Sequence, residues 1–279
     1  MTDMLDKPKI SVITPSYNQA KYLEATIRSV LDQGYPNLEY IIIDGGSTDG
    51  SVEIIKRYSS QLTYWVSEPD RGQSHAINKG LQLATGDWVG WQNSDDIYYP
   101  RAFKLLAQMV SASPSSDLII GDINLIDVNG HAMRDMRYVR PTYESLLAEG
   151  MVLTNQAAFW KRDLHESLGW LDESLHYGFD FEWFLRILAA TERTKHIPRL
   201  IGALRYHDDT KTSQHQSRFV EEYEAILAGR KMPEWKKRLY RLRRLILTLG
   251  DGHYAYVFRG IYQRILGRTH AQNAADGKD

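Results

Sequence analysis

An α/β fold on a mainly parallel sheet flanked by helices is what this sequence predicts, on three observations. Short apolar runs, KISVIT, LEYIIID, LTYWVSE and DWVGWQ, are continuous rather than alternating, as in strands covered on both faces. Between them lie segments with apolar residues at helical spacing. Each run ends in a polar turn marked by Gly, Pro, Asn or Asp, so strand and helix alternate and right-handed crossovers follow.

The elements read in order. KISVIT is a strand and PSYNQ its turn. Tyr22, Leu23, Thr26, Ile27, Val30 and Leu31 then share one helix face, which Gly34 and Pro36 close. LEYIIID is the second strand, GGSTDG a turn, and residues 52–58 a helix that Ser47, Thr48 or Asp49 can cap. LTYWVSE, a helix over residues 73–84 and DWVGWQ form a further unit. A helix over residues 100–111 precedes the strand DLIIGDINLID, and VNGH suits a hairpin turn. In open sheets of this kind ligands lie beyond the carboxyl ends of the strands. The turns at residues 15–18, 44–49, 68–72 and 93–96 should therefore face one crevice.

Composition narrows the chemistry. With no cysteine among 279 residues, disulfides, thiolate nucleophiles and Cys-ligated metals are excluded. The N-terminus lacks the pattern of a signal peptide, and the apolar runs are too short to span a membrane. The net charge of −1 conceals two objects: residues 1–230 carry 31 acidic against 23 basic side chains, and residues 231–268 carry 2 against 10. Residues 1–230 are read as the catalytic domain and residues 231–279 as a basic amphipathic helical extension and tail.

The segment WVGWQNSDDIYYP raises the sharpest question, because an apolar strand ends in Asn93, Ser94 and two adjacent carboxylates, Asp95 and Asp96. A solvated loop is one reading. A site for a hard divalent cation such as Mg2+ or Mn2+ is the other. GFDFEWFLRI sets Asp180 and Glu182 at the start of an apolar helix, where both suit the helix dipole and Asp180 could cap.

Together SVITPSYNQAKYLEATIRSVLDQ, IIIDGGSTDGS, SEPDRGQSHAINKGLQLATGDWVGWQNSDD and GFDFEWFLR resemble family 2 glycosyltransferases of the GT-A (Rossmann-like) fold, over roughly residues 9–215. The resemblance implies a metal-dependent, inverting sugar transferase of bacterial surface polysaccharide assembly, working from a nucleotide-sugar donor onto a saccharide or lipid-linked saccharide acceptor. It implies Asp96 and His207 as ligands of Mn2+ or Mg2+, with Asp95 on ribose or metal; the fold itself is expected to need no buried carboxylate at Asp96. Asp180 would be the general base. Pro15, Ser16, Tyr17, Asp44 and Arg71 would hold the donor, and Gly169 and Trp170 would line the acceptor side.

Three positions depart from the family pattern: Asn93 replaces a first Asp, Gly45 a second acidic residue that reads the uracil edge, and Phe179 a Glu before the base. A nucleotidyltransferase or a non-catalytic sugar-binding relative are the alternatives. The first usually needs a glycine-rich loop that TPSYNQAKY lacks.

The extension combines Leu239, Leu242, Leu245, Ile246 and Leu249 with Lys236, Lys237, Arg238, Arg241, Arg243 and Arg244. It suits an anionic membrane surface, or packs on the catalytic domain. Nucleic acid is not expected as a partner, because the larger part of the chain is acidic. A cytoplasmic protein, held peripherally on the inner face of the membrane, is the expectation.

Overall fold

The computed structural model describes residues 7–207 and 216–262. These fall into two compact units that part between Lys231 and Met232. In the first, β1 (Ile10–Ser16), α1 (Ala20–Leu31), β2 (Leu38–Asp44), α2 (Ser51–Tyr58), β3 (Tyr64–Ser67), α3 (Gln73–Leu83) and β4 (Trp88–Trp91) form an all-parallel half-sheet in the order β3-β2-β1-β4. Every residue of β1 is buried, which is why its sequence shows no alternation. The register aligns Ser16 with Asp44 and Asp44 with Ser67, so three polar side chains end three neighbouring strands side by side.

The second half continues through β5 (Ile97–Tyr98), α4 (Ala102–Ala112), β6 (Leu118–Ile126), β7 (Ala132–Met136), α5 (Tyr143–Glu149), β8 (Ala158–Lys161), α6 (Arg162–Leu168), α7 (Phe179–Ala190) and β9 (Thr194–Arg205). VNGH does turn a hairpin, β6 to β7. Where the sequence predicts a mainly parallel sheet, this half is mixed. β8 runs antiparallel to both β4 and β6, and β9 runs parallel to β6. Just before β8 the Asn155 amide lies 3.5 Å from the Trp91 carbonyl at the carboxyl end of β4, so the chain enters β8 from that end and runs back.

Aromatic packing fixes α7 to this sheet. Trp91 stacks on Phe184 at 5.9 Å and meets Trp160 edge-on at 5.4 Å, while Trp160 meets Trp183 at 5.8 Å. Each such pair adds roughly 0.5–1.5 kcal/mol beyond burial. Gly90 is required here, because a Cβ would come within 2.9 Å of the Phe159 ring and 3.0 Å of the Ala158 carbonyl. A last helix of this unit, α8 (Gln216–Ile226), follows β9.

The second unit contains α9 (Glu234–Gly250), a turn in which Gly252 has φ +82, and helical residues 254–262. Trp235, Leu239, Leu242 and Ile246 recur along one stripe of α9 and are all more than half exposed. Among the described residues no helix is long and apolar enough to cross a membrane.

Candidate active site

The carboxyl ends of β1, β2 and β3 make the floor of the crevice. Asp44 is fully buried, and its carboxylate accepts from the Gly46 and Ser47 amides and from the Ser47 and Ser67 hydroxyls at 2.6–3.1 Å. Its oxygens are therefore committed to shaping the GGSTDG turn. The neighbouring Ser16 hydroxyl is buried and has no hydrogen-bond partner in the structure. Pro15 is buried beside it, and Tyr17 is 62% exposed above it. The two turns are laced together: Asn18 N donates to Ser47 Oγ, Thr48 N to Asn18 Oδ1, and Ala20 N to Asp49 Oδ2. Asp49, one of three residues the sequence offers as a cap for α2, also takes the Ser51 amide.

Gly45 reveals a residue that sequence reasoning missed. A Cβ at position 45 would lie 2.5 Å from Asp70 Oδ2 and 3.0 Å from its Cγ, so the Asp70 carboxylate fills the space beside the Gly45 backbone. The Gly72 amide holds Asp70 by its other oxygen. A carboxylate absent from one turn thus arrives from the next. Only the missing side chain at 45 hinted at it.

At the end of β4 the NSDD carboxylates have opposite surroundings. Asp95 Oδ2 lies 3.0 Å from Nε2 of His207, whose ring lies 4.9 Å from that of Tyr22. Asp96 has partners of its own. It is fully buried, with Oδ1 on the Arg205 amide and Oδ2 on the Asn93 and Gln156 side-chain amides. Burial, then the charge of Asp95, pushes its carboxyl well above the usual range. Far from expendable, Asp96 ties β4, β9 and residue 156 together. Arg205 completes the knot by donating to the carbonyls of Asp95, Asp127 and Val128. Nothing in the spacing of NSDD distinguishes the two carboxylates, because adjacent side chains diverge by the turn geometry alone.

The donor set fits a divalent cation only in part. Among the described residues no group of three or more acidic or His side chains converges on one point. A carboxylate with one imidazole leaves most of an octahedral shell to other oxygens, an arrangement suited to Mg2+ or Mn2+ shared with phosphate.

The loop between α6 and α7 meets α3 and the β3–α3 turn. Asn78 on α3 accepts from the Leu171 amide and donates to its carbonyl, and Glu173 accepts from Asn78 and from Arg71 at 2.6 Å. Arg71, a donor-holding candidate whose guanidinium suits phosphate or a neighbouring carboxylate, here bridges the β3–α3 turn to this loop through Glu173. Gly169 has φ +83 with open space around it, and Trp170 is 40% exposed, its ring 5.5 Å from that of His165. Arg186 holds the loop by donating to the carbonyls of Leu168 and Trp170.

Asp180 lies in the first turn of α7. The helix is capped by Gly178 rather than by Asp180, whose Oδ1 accepts from the Phe181 amide. Its neighbour Phe179 packs on Trp91, 6.3 Å between rings, which ties the start of α7 to the aromatic core beneath β4. Glu182 is paired with Arg186 at 2.6 Å along the helix and so is committed to it. Burial, then the charge of Asp180, pushes the Tyr223 phenol up to about 12, so it stays protonated beside that carboxylate.

The sequence matches the family described as Glycosyl transferase family 2 over residues 11–165. A glycosyltransferase of Rickettsia typhi, itself uncharacterized, is 29% identical over 262 residues, 88% of this chain and 77% of its own length. Among solved structures, S. aureus TarS 1–349 in complex with UDP-GlcNAc aligns with a TM-score of 0.67 at 19% identity, over 83% of this chain and 70% of that one. The mannosyltransferase PcManGT from Pyrobaculum calidifontis, in complex with GDP-Man and Mn2+, aligns with a TM-score of 0.61 at 20% identity, over 98% and 82%. At these identities the structural likeness speaks for the fold, a mixed sheet with flanking helices of the GT-A type.

Proposed function

The chain belongs to glycosyl transferase family 2, and from that premise we propose that it moves a sugar from a nucleoside-diphosphate sugar to a saccharide acceptor with inversion at the anomeric carbon. What carries the proposal is the meeting of distant segments just past the end of β4, where His207 lies on Asp95.

The nucleotide lies over the ends of β1, β2 and β3. The unpartnered Ser16 hydroxyl and the exposed Tyr17 face it, and the rigid Asp44 turn supports it. Asp70, beside Gly45, offers an acceptor to a base that presents an N–H, as uracil, thymine and guanine do. Asp95 and His207 would hold Mn2+ or Mg2+, which when bound would offset the negative charge of the diphosphate. Asp180 accepts the proton of the acceptor hydroxyl while that oxygen bonds to the anomeric carbon and the bond from that carbon to the diphosphate oxygen breaks. Glu182, held by Arg186, is poorly placed to exchange roles with it. Trp170 offers a partly exposed face to the acceptor sugar, with Gly169 leaving space in front.

The acceptor in this proposal is a lipid-linked saccharide in bacterial surface polysaccharide assembly, reached from the cytoplasmic side of the membrane. Support comes from the second unit, where the exposed apolar stripe of α9 runs beside Lys236, Lys237, Arg238, Arg241, Arg243 and Arg244, a pairing suited to anionic lipid.

A panel of UDP-, GDP- and dTDP-linked sugars with Mn2+ and a lipid-linked saccharide extract tests this proposal. One donor should release its nucleoside diphosphate in an acceptor-dependent way that EDTA stops. Pyrophosphate release from nucleoside triphosphates would instead mark a nucleotidyltransferase, and binding without turnover a non-catalytic relative.

A further inference from the structure

We propose that Glu222, on α8, is a positioning residue for Asp180. The inference rests on the reading of Asp180 as the base and goes beyond it by assigning the device that holds it. The amides of His176, Tyr177 and Gly178 all donate to the Glu222 carboxylate, at 2.8–3.2 Å. These residues lead directly into α7, whose cap residue Gly178 supplies no side chain. A helix start otherwise leaves its first N–H groups to water. Here one distant carboxylate gathers the approach to the helix.

The same face of α8 makes two further contacts around Asp180. Tyr223 packs on Phe181 with ring centroids 4.2 Å apart. Ile226 fills the space above Gly178, where a Cβ would come within 2.8 Å of its Cδ1. Residues on either side of Asp180 are thus held from one helix, and the Asp180 carboxylate is anchored to the Phe181 amide within that grip. Burial would raise the Glu222 carboxyl, but the Tyr177, Gly178 and His176 amides outweigh it and keep Glu222 below the usual range, ionised as the clamp requires. The Glu222 carboxylate accepts from the approach to α7, so its loss should act on the base and not on nucleotide binding.

Misplacement of a catalytic group by about 1 Å can cost about 10²-fold in rate. Glu222→Ala should therefore lower kcat about 10- to 100-fold while the donor KM and the Kd for UDP or GDP stay unchanged. Glu222→Gln, which keeps one acceptor oxygen, should recover part of the loss. The assay uses the full chain and the UDP-, GDP- or dTDP-linked sugar that the wild-type protein turns over, with kcat expressed per nucleotide-binding site counted by titration. A merely structural Glu222 would reduce the number of competent sites and leave kcat per site at the wild-type value, which would overturn the proposal. If Glu222→Ala does not fold, Glu222→Gln alone decides on the same readout. Asp180→Asn is measured in parallel: full turnover there would remove the premise, whereas loss there with wild-type kcat per site in the Glu222 variants would refute the clamp alone.

Discussion

Nε2 of His207 lies 3.0 Å from Oδ2 of Asp95, a residue 112 positions earlier in the chain, and this pair joins the end of β9 to the end of β4. Asp95→Asn and His207→Ala should each weaken Mn2+ binding in the presence of UDP by at least about tenfold, since even residues that only support metal ligands cost that much when changed. Calorimetry or electron paramagnetic resonance reads the affinity directly. Unchanged Mn2+ affinity in both variants would remove the cation from this pair.

Asp96 behaves differently. Asp96→Ala removes the acceptor of three N–H groups in a fully buried place, and each buried group left unsatisfied costs about 1–3 kcal/mol. Relief of the burial and repulsion that raise its carboxyl offsets part of that. Urea denaturation should show Asp96→Ala clearly less stable than Asp95→Ala. Equal stability of the two variants would mean that the buried tie contributes nothing.

Acid should loosen the first half-sheet. Burial would raise the Glu39 carboxyl, but donors from Lys9, Ser11 and Thr85 overcome it and hold it at about 2. A depressed carboxyl stabilises the fold above its unfolded value near 4.5, and that stabilisation is lost as pH falls from there toward 2. The full effect is at most about 3 kcal/mol. His165 adds to it: burial, then Arg162, lowers the imidazole from 6.5 to about 4, so stability present above 6.5 falls as pH drops through that window. Glu39→Gln should flatten the dependence of melting temperature on pH between about pH 5 and about pH 3. An unchanged slope would contradict the role of this cluster.

The parallel half of the sheet was legible because β1, β2 and β4 are buried on both faces, and such strands leave uninterrupted apolar runs. The three polar turns at their ends were legible for the same reason, as the places where those runs stop; β3, read from LTYWVSE as covered on both faces, is instead an edge strand with Tyr64 exposed. The reversal at β8 was not, because its direction shows only in its pairings with β4 and β6, which are distant in sequence. Nor was the two-residue strand β5, too short for any periodicity. The division of labour between Asp95 and Asp96 needs the partners that β9 brings back. Glu222 left no signal at all, since a half-buried acid on a polar helix resembles any solvated charge until its three amides are seen.

The second unit should bind anionic vesicles. Replacing Lys236, Lys237, Arg238 and Arg241 by Gln in the full chain removes four basic residues worth about 1 kcal/mol each near a membrane surface. Cosedimentation with phosphatidylglycerol vesicles should fall steeply in that variant, and in the wild type as salt rises. Vesicle binding that survives both changes would show that the basic residues beside the apolar stripe are not what attaches it.

The most direct test of the central claim compares Asp180→Asn with Glu182→Gln for sugar transfer and for donor binding. With the base gone, transfer by Asp180→Asn should fall by about 10²-fold or more while the donor still binds with wild-type affinity. Glu182→Gln, which loses only its pairing with Arg186, should keep most of its turnover. Near-normal transfer by Asp180→Asn together with its loss in Glu182→Gln would contradict the assignment of the base.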